Sequence, residues 1–248
     1  MDILPNIKIM GLTLFLEKQR ILVIADTHIG FEEALNKQGI LMPRLQFNEI
    51  LKQLEAVFNE IKPEMVVVLG DVKHEFGTIS NQERRDTLNL LDYLMSKVGK
   101  TGKVVLIKGN HDTILGPLAE KKGLSARESF LAGDVLFCHG HRLLDESSQD
   151  FKKAKTIIIG HEHPAISIRD DVRVEKFKCF LLGKYKGKNS RKSQTKDLIV
   201  MPSFSFVAEG TDVLQEKLLS PFIENIHDFE AFVVGDKVYK FGKISKLR

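Results

Sequence analysis

The sequence predicts an α/β protein in which parallel strands deliver polar residues to one edge of a sheet. Two patterns carry this reading. Short runs rich in Val and Ile recur with room for a helix between them, and each run ends in Asp, Asn or His. The length agrees, since 248 residues at 43% hydrophobic content bury a sizeable core as one large domain or two small ones.

Taken in order, residues 7–15 read as an opening strand that turns near residues 17–20 into the run 21–25. Buried strands are then expected at 65–69, 104–107, 135–138 and 156–159. Between the first three, Leu45, Ile50, Leu54, Val57, Phe58 and Ile61 recur with helical spacing and stop before Pro63. Leu88, Leu91, Leu94, Met95 and Val98 do the same before Gly99. Strand, helix, strand gives βαβ units, whose crossovers are right-handed. From residue 165 to 200 the pattern alternates with little helix, which predicts a second, more antiparallel sheet. Residues 233–241, with Gly235 and Asp236 at the bend, read as a closing hairpin. No repeat recurs at a fixed period, so residues 1–248 are expected to form one domain.

Charge excludes some functions. With 37 Lys+Arg against 33 Asp+Glu the net charge is +4, too small for a histone-like field, so any anion-binding surface is local. The one biased stretch lies between two strand-like runs at 183–197. From residue 184 to 196, Lys184, Lys186, Lys188, Arg191, Lys192 and Lys196 occur without an acid, and Tyr185 is placed to stack on a base. A nucleic-acid clamp and a solvated loop both fit this stretch. The longest apolar runs fall far short of the ~20 residues a membrane helix needs. Two cysteines, Cys138 and Cys179, build no disulfide framework and read as buried apolar residues. No leader pattern opens the chain, so a reduced, cytoplasmic protein without membrane contact is expected.

The chemistry lies at the strand ends. The runs close with Asp26-Thr27-His28, Gly70-Asp71, Gly109-Asn110-His111-Asp112, His139-Gly140-His141 and His161-Glu162-His163. Loops at the carboxyl ends of strands form the binding crevice of open α/β sheets, so these motifs can converge. In extended backbone Asp26 and His28 point to one side, as do His161 and His163. Asp26, His28, Asp71, Asn110, His139, His161 and His163 are too many donors for one ion and suit two ions sharing Asp71. Two carboxylates leave such a centre at about +2, or about +1 with a bridging hydroxide, so it attracts an anion. Two divalent ions also lower the pKa of a bridging water and clamp a phosphoryl group, which makes phosphoester hydrolysis the expected reaction.

The ordered set DTH, GD, GNHD, HGH and GHEH resembles the calcineurin-like metallophosphoesterase superfamily. ADTHIGFEEAL, GDVKHEFG and VMPSFSFVAEGTDV look like its archaeal and bacterial branch, which includes the phosphoesterase associated with the Lhr helicase and a DNA ligase. ADTHIG and GDVKH are also similar to the nuclease subunit of the Mre/Rad break-repair complex. The resemblance implies a four-layer α/β/β/α sandwich with two mixed β-sheets and the metal site at the carboxyl ends of strands. It assigns Asp26, His28, Asp71 and His163 to one ion and Asp71, Asn110, His139 and His161 to the other. His111 then touches the scissile phosphate and protonates the leaving oxygen, Asp112 holds its ring, and His74 is a second phosphate contact. Mn²⁺ is the expected metal, with Fe, Zn, Ni and Co sharing the ligand chemistry. The expected activity is that of a phosphodiesterase or nuclease on single-stranded DNA, with a helicase or ligase as partner.

One feature departs from the family: some of its phosphatases place an arginine after the second motif, where this chain has Lys73, His74 and Glu75. His141 is open between a site contact and a surface histidine, and His227 reads as structural. The alternatives are a phosphatase or phosphodiesterase acting on small nucleotides and phosphoesters, and a non-catalytic metal-binding scaffold.

Overall fold

The computed structural model describes residues 1–77, 79–170, 172–187 and 195–247. Lys188, Arg191 and Lys192 of the basic stretch lie outside them. The first sheet collects β1 (Asp2–Leu4), β2 (Ile7–Met10), β3 (Thr13–Leu16), β4 (Ile21–Ile24), β5 (Met65–Leu69), β6 (Lys103–Ile107) and β7 (Ala126–Arg127) in that order. Helices α1 (Phe31–Lys37) and α2 (Gln46–Glu60) separate β4 from β5, and α3 (Asn81–Val98) separates β5 from β6. Helix α4 (Leu115–Glu120) follows β6. Strands β4, β5 and β6 are mutually parallel, as the βαβ pattern predicts.

The second sheet begins with β8 (Ser129–Ala132) and β9 (Val135–Cys138), then α5 (Gln149–Lys153) leads to β10 (Thr156–Ile159). It continues through β11 (Pro164–Arg169), β12 (Val174–Tyr185), β13 (Lys196–Val200), β14 (Thr211–Asp212), β15 (Glu230–Val234) and β16 (Val238–Lys243). Its order is β14-β11-β12-β13-β10-β9-β8, with β15 and β16 joined to β12. Strand β10 runs parallel to β9 and β13, and the other main pairings of residues 164–200 are antiparallel. The sheet is therefore mixed.

Period two explains how the sheets stack. Val23, Val67 and Ile107 of the first sheet face Phe137, Ile158, Phe180 and Ile199 of the second in one buried cluster. Their neighbours Leu22, Ile24, Val66, Val68 and Leu106 face the other way and pack against Ile50, Leu54, Leu90, Leu91 and Leu94 of α2 and α3. Each such side chain, when fully buried, contributes about 1.5–3 kcal/mol. Helix α3 has a sharp start, since Ser80 Oγ accepts from the Glu83 N–H in a capping box, and it ends at Gly99. The outer layer on the second sheet is thin. It consists of short α5 and the segment carrying Leu218, Phe222, Ile226 and Phe229, which covers Leu136, Ile157, Leu181 and Leu198.

The opening strand is a correction. Residues 7–15 form a hairpin rather than one strand, because Gly11 adopts φ 57° and reverses the chain between β2 and β3. Alternating apolar residues continue across the bend, so periodicity alone does not reveal it.

Candidate metal centre

All five strand-end motifs sit at the carboxyl ends of parallel strands, β4, β5 and β6 in one sheet and β9 and β10 in the other. The two sheets therefore contribute to one crevice at their seam. Backbone bonds lace the loops together: His28 N–H donates to Asp71 O at 3.0 Å, Asp26 N–H to Gly70 O at 3.2 Å, and Gly160 N–H to His139 O at 3.0 Å. Across the seam His161 N–H donates to Asp26 Oδ2 at 2.9 Å, and His139 Nδ1 donates to Leu69 O at 3.0 Å. That second bond fixes the His139 tautomer and leaves Nε2 facing the crevice.

The extended-backbone argument for Asp26 with His28, and for His161 with His163, is corrected. All four residues have positive φ, at 53°, 44°, 70° and 47°, and so does Asp71 at 44°. Side chains converge because left-handed residues alternate with ordinary ones, not because a strand runs on. Such residues cost about 1 kcal/mol or more each, and the cluster falls where the motifs lie. Close approach adds a demand for glycine. A Cβ on Gly109 would lie 2.0 Å from Asp71 Oδ1, and one on Gly160 would lie 2.4 Å from Asp26 Oδ2.

Three ligand groups result among the described residues. Asp26, His28 and His163 form one, Asp71, His139 and His161 a second, and beside these two lies a third of His28, His74 and His111, with donor atoms in each within 4.8 Å of one another. His28 Nε2 lies 3.2 Å from His163 Nε2, and His163 Nε2 lies 3.6 Å from Asp26 Oδ1. His139 Nε2 lies 3.0 Å from Asn110 Oδ1 and 3.4 Å from Asp71 Oδ2. Two donors bound about 2.1 Å from one ion sit roughly 3–3.5 Å apart, so these spacings suit a shared cation. Asp71 Oδ2 is also 3.9 Å from His28 Nε2, between the first two groups. Among the described residues Asp26 Oδ1 is buried and accepts no hydrogen bond, an orphaned carboxylate oxygen that a cation would satisfy. Oxygen and imidazole donors without thiolate fit first-row divalent metals. The residues thus fit metal ions.

Electrostatics follow from burial. Burial pushes Asp71 up, but the hydrogen bond and charge of His139 outweigh it and hold the carboxyl well below its usual range. Burial lowers His139, and the bond to Asp71 and the charge of Asp26 reverse this, raising it to about 9. Burial and then His163 hold His28 well below the usual imidazole range, and burial and then His139 lower His161 to about 4. Ligation takes the neutral imidazole, so a cation bound there would displace the proton that Asp71 and Asp26 hold on His139.

His111 and His74 also reach the crevice. His111 N–H donates to Asp71 Oδ1 at 2.9 Å, and its ring Nε2 lies 3.8 Å from Asp71 Oδ2. The Asp112 assignment is corrected: the His111 ring donates from Nδ1 to the His74 carbonyl. Asp112 instead accepts backbone N–H bonds from Val72 and Gly109, each at 3.0 Å, and so ties the GD and GNHD loops. His74 stacks on Phe31 with ring centroids 4.0 Å apart, and its Nδ1 is 3.4 Å from His28 Nδ1. Burial and then His111 lower His74 to about 4. His141 lies beside His139 and His161, with ring centroids 5.2 and 6.1 Å away, and Cys138 and Cys179 are buried free thiols.

Several buried polar groups that sequence patterns missed hold these loops. Gln46 donates from Nε2 to Thr27 O at 2.7 Å and His28 O at 3.0 Å. Glu83 accepts from His74 N–H at 2.8 Å and Glu75 N–H at 2.9 Å while completing the α3 capping box. Lys178 donates to Ser203 O at 2.9 Å and Ser203 Oγ at 2.7 Å, in the loop whose Phe204 N–H reaches Ala25 O at 2.7 Å. Ser80 and Glu83 do show a capping spacing in sequence, but nothing there points to Gln46 or Lys178. Lys73 is fully buried and donates to Glu75 O, so it does not take the place of the absent arginine.

Fold and site together define a metal-dependent phosphoester hydrolase. The calcineurin-like phosphoesterase family model matches residues 19–185, and the chain belongs to that family as a hydrolytic metallophosphoesterase. Among solved structures, the Pseudomonas putida nuclease MPE is similar at 18% identity and TM-score 0.59, over 92% of this chain and 91% of its own. A protein of unknown function from Aquifex aeolicus aligns over 58% of this chain and 78% of its own, at 21% identity and TM-score 0.37. A Vps29 mutant from Entamoeba histolytica aligns over 90% and 98%, at 15% identity and TM-score 0.37. No curated protein sequence gives a significant match. No helix among the described residues is long and apolar enough to cross a membrane.

Proposed function

We propose that the chain hydrolyses phosphodiester bonds in nucleic acid, single-stranded DNA in particular, at a dinuclear Mn²⁺ centre. The observation that carries this is Asp71 Oδ2 standing 3.9 Å from His28 Nε2 and 3.4 Å from His139 Nε2, one carboxylate between two ligand groups. Asp26, His28, Asp71 and His163 would hold one ion, and Asp71, Asn110, His139 and His161 the other. When bound, such a pair supplies an activated water and withdraws charge from the phosphoryl oxygens.

The chain's own groups do the rest. Only two carboxylates serve seven donors, so the crevice favours an anionic substrate. His111 has Nδ1–H committed to the His74 carbonyl, so in its imidazolium form Nε2–H gives a proton to the departing oxygen and the ring is left as the neutral Nδ1–H tautomer. His74, neutral at pH 7, contacts a phosphate oxygen through a hydrogen bond rather than a full charge. The similar fold of a protein named as a nuclease supports a phosphodiester in nucleic acid as substrate.

The test measures metal content of the purified protein and cleavage, in Mn²⁺, of end-labelled single-stranded DNA, a chromogenic phosphodiester and a phosphomonoester. About two ions per chain and cleaved DNA are expected. Hydrolysis of the small esters with DNA left intact at every salt concentration would overturn the nuclease reading.

A further inference from the structure

Phe76 is an apolar ring left in water beside the site. It is 59% exposed, yet its centroid lies 3.6 Å from that of His111, with the planes tilted by 34°. Its place is held: the adjoining His74 and Glu75 N–H groups are both pinned by Glu83, and Ser80 anchors the far end of the loop at the α3 cap. Behind it the rings continue. His111 lies 5.6 Å from His74, which stacks on Phe31 at 4.0 Å. Phe31 at one end of the stack is half-buried, and Phe76 at the other is exposed.

A phenyl ring gains by burial, so a fixed and exposed one next to reacting groups fits a flat apolar ligand better than solvent. Nucleobases are such ligands, and base-on-aromatic stacking tolerates any sequence because every base has a π-face. Resting on the reading of the site as a nuclease, we propose that Phe76 is a stacking platform for an unpaired base flanking the scissile phosphate. Ring contact with His111 places that base one ring away from the group that protonates the leaving oxygen. The platform selects strands with unpaired bases over phosphoesters that lack one.

The test crosses substrate with enzyme. Single-stranded oligonucleotides carry one abasic residue, 5′ or 3′ of the mapped cleavage position, and are compared with intact DNA on the metal-loaded wild type, Phe76→Ala, Phe76→Leu and Phe76→Trp. In the wild type, removing the stacked base is expected to lower kcat/KM on the order of ten-fold, mainly through KM. Phe76→Ala shows the same loss on intact DNA and none beyond it on abasic DNA. Phe76→Trp keeps the preference for a base. Phe76→Leu, which covers His111 without a flat π-face, behaves like alanine. Equal sensitivity to base removal in wild type and Phe76→Ala, or full rescue by leucine, would overturn the platform and leave the nuclease reading standing. A wild type that cleaves neither oligonucleotide defeats the nuclease reading and the platform together.

Discussion

The strand-end crevice and the lysine-rich stretch both look functional in sequence, yet the fold treats them differently. In the crevice, polar groups are buried together, and among the described residues Asp26 Oδ1 and His141 Nδ1 are left without a hydrogen bond. In the stretch, Lys184, Tyr185 and Lys196 are already engaged, while Lys186 is exposed. Lys184 pairs with Asp197 at 2.6 Å, and Tyr185, nearly fully buried, donates to Glu146. Lys196 is buried, donates to Ala154 O and sits 5.0 Å over the Phe151 ring. The base-stacking role considered for Tyr185, and the phosphate role for Lys196, are thus corrected. Unsatisfied groups held at a cost mark a site better than a count of charges does.

The largest effect is expected at the crevice. Asp71→Asn should lower hydrolysis on the order of 10³-fold or more and cut bound metal, since the lost carboxylate stands between two ligand groups. Metal analysis alongside kinetics checks this, and full occupancy with full rate would detach Asp71 from the centre. His111→Ala is expected to lower kcat by roughly 10²–10⁴-fold while metal content is unchanged. An unaltered kcat would remove His111 from the chemistry.

Lys178 sharpens the comparison through stability. Burial lowers its ammonium to about 7, against an unfolded value near 10.4. Between these values the unfolded chain holds more of the proton, so stability rises as pH rises from about 7 to about 10.4. The slope reaches at most about 1.4 kcal/mol per pH unit. Lys178→Met should flatten that window in denaturant titrations, and an unchanged slope would place the ammonium in water. The smallest effect belongs to the basic stretch. Lys184→Ala should change the salt slope of DNA binding by less than about one unit, because its charge is already paired with Asp197. A drop of a full unit would restore Lys184 as a phosphate contact.

Much of this was legible in the residues. Strands at 65–69, 135–138 and 156–159 coincide with β5, β9 and β10, because Val and Ile runs with polar ends have few other readings. Helix α2 stops before Pro63 and α3 at Gly99, where local chemistry leaves little choice. The hairpin at Gly11 was hidden because its alternation continues through the bend. The His111 ring partner was hidden for another reason. Adjacency of Asp112 suggested contact, whereas the carboxylate turns to the Val72 and Gly109 amides on another loop.

By itself the sequence determined the identity of the donors and their delivery to strand ends, since both follow from residue type and a period of two. Tertiary structure decided which donors meet. His139 and Asp71 come from different sheets, and their 3.4 Å approach depends on how those sheets stack. It also decided that Asp26, His28, Asp71, His161 and His163 adopt left-handed backbone, a conformation their own preferences resist and the surrounding packing imposes.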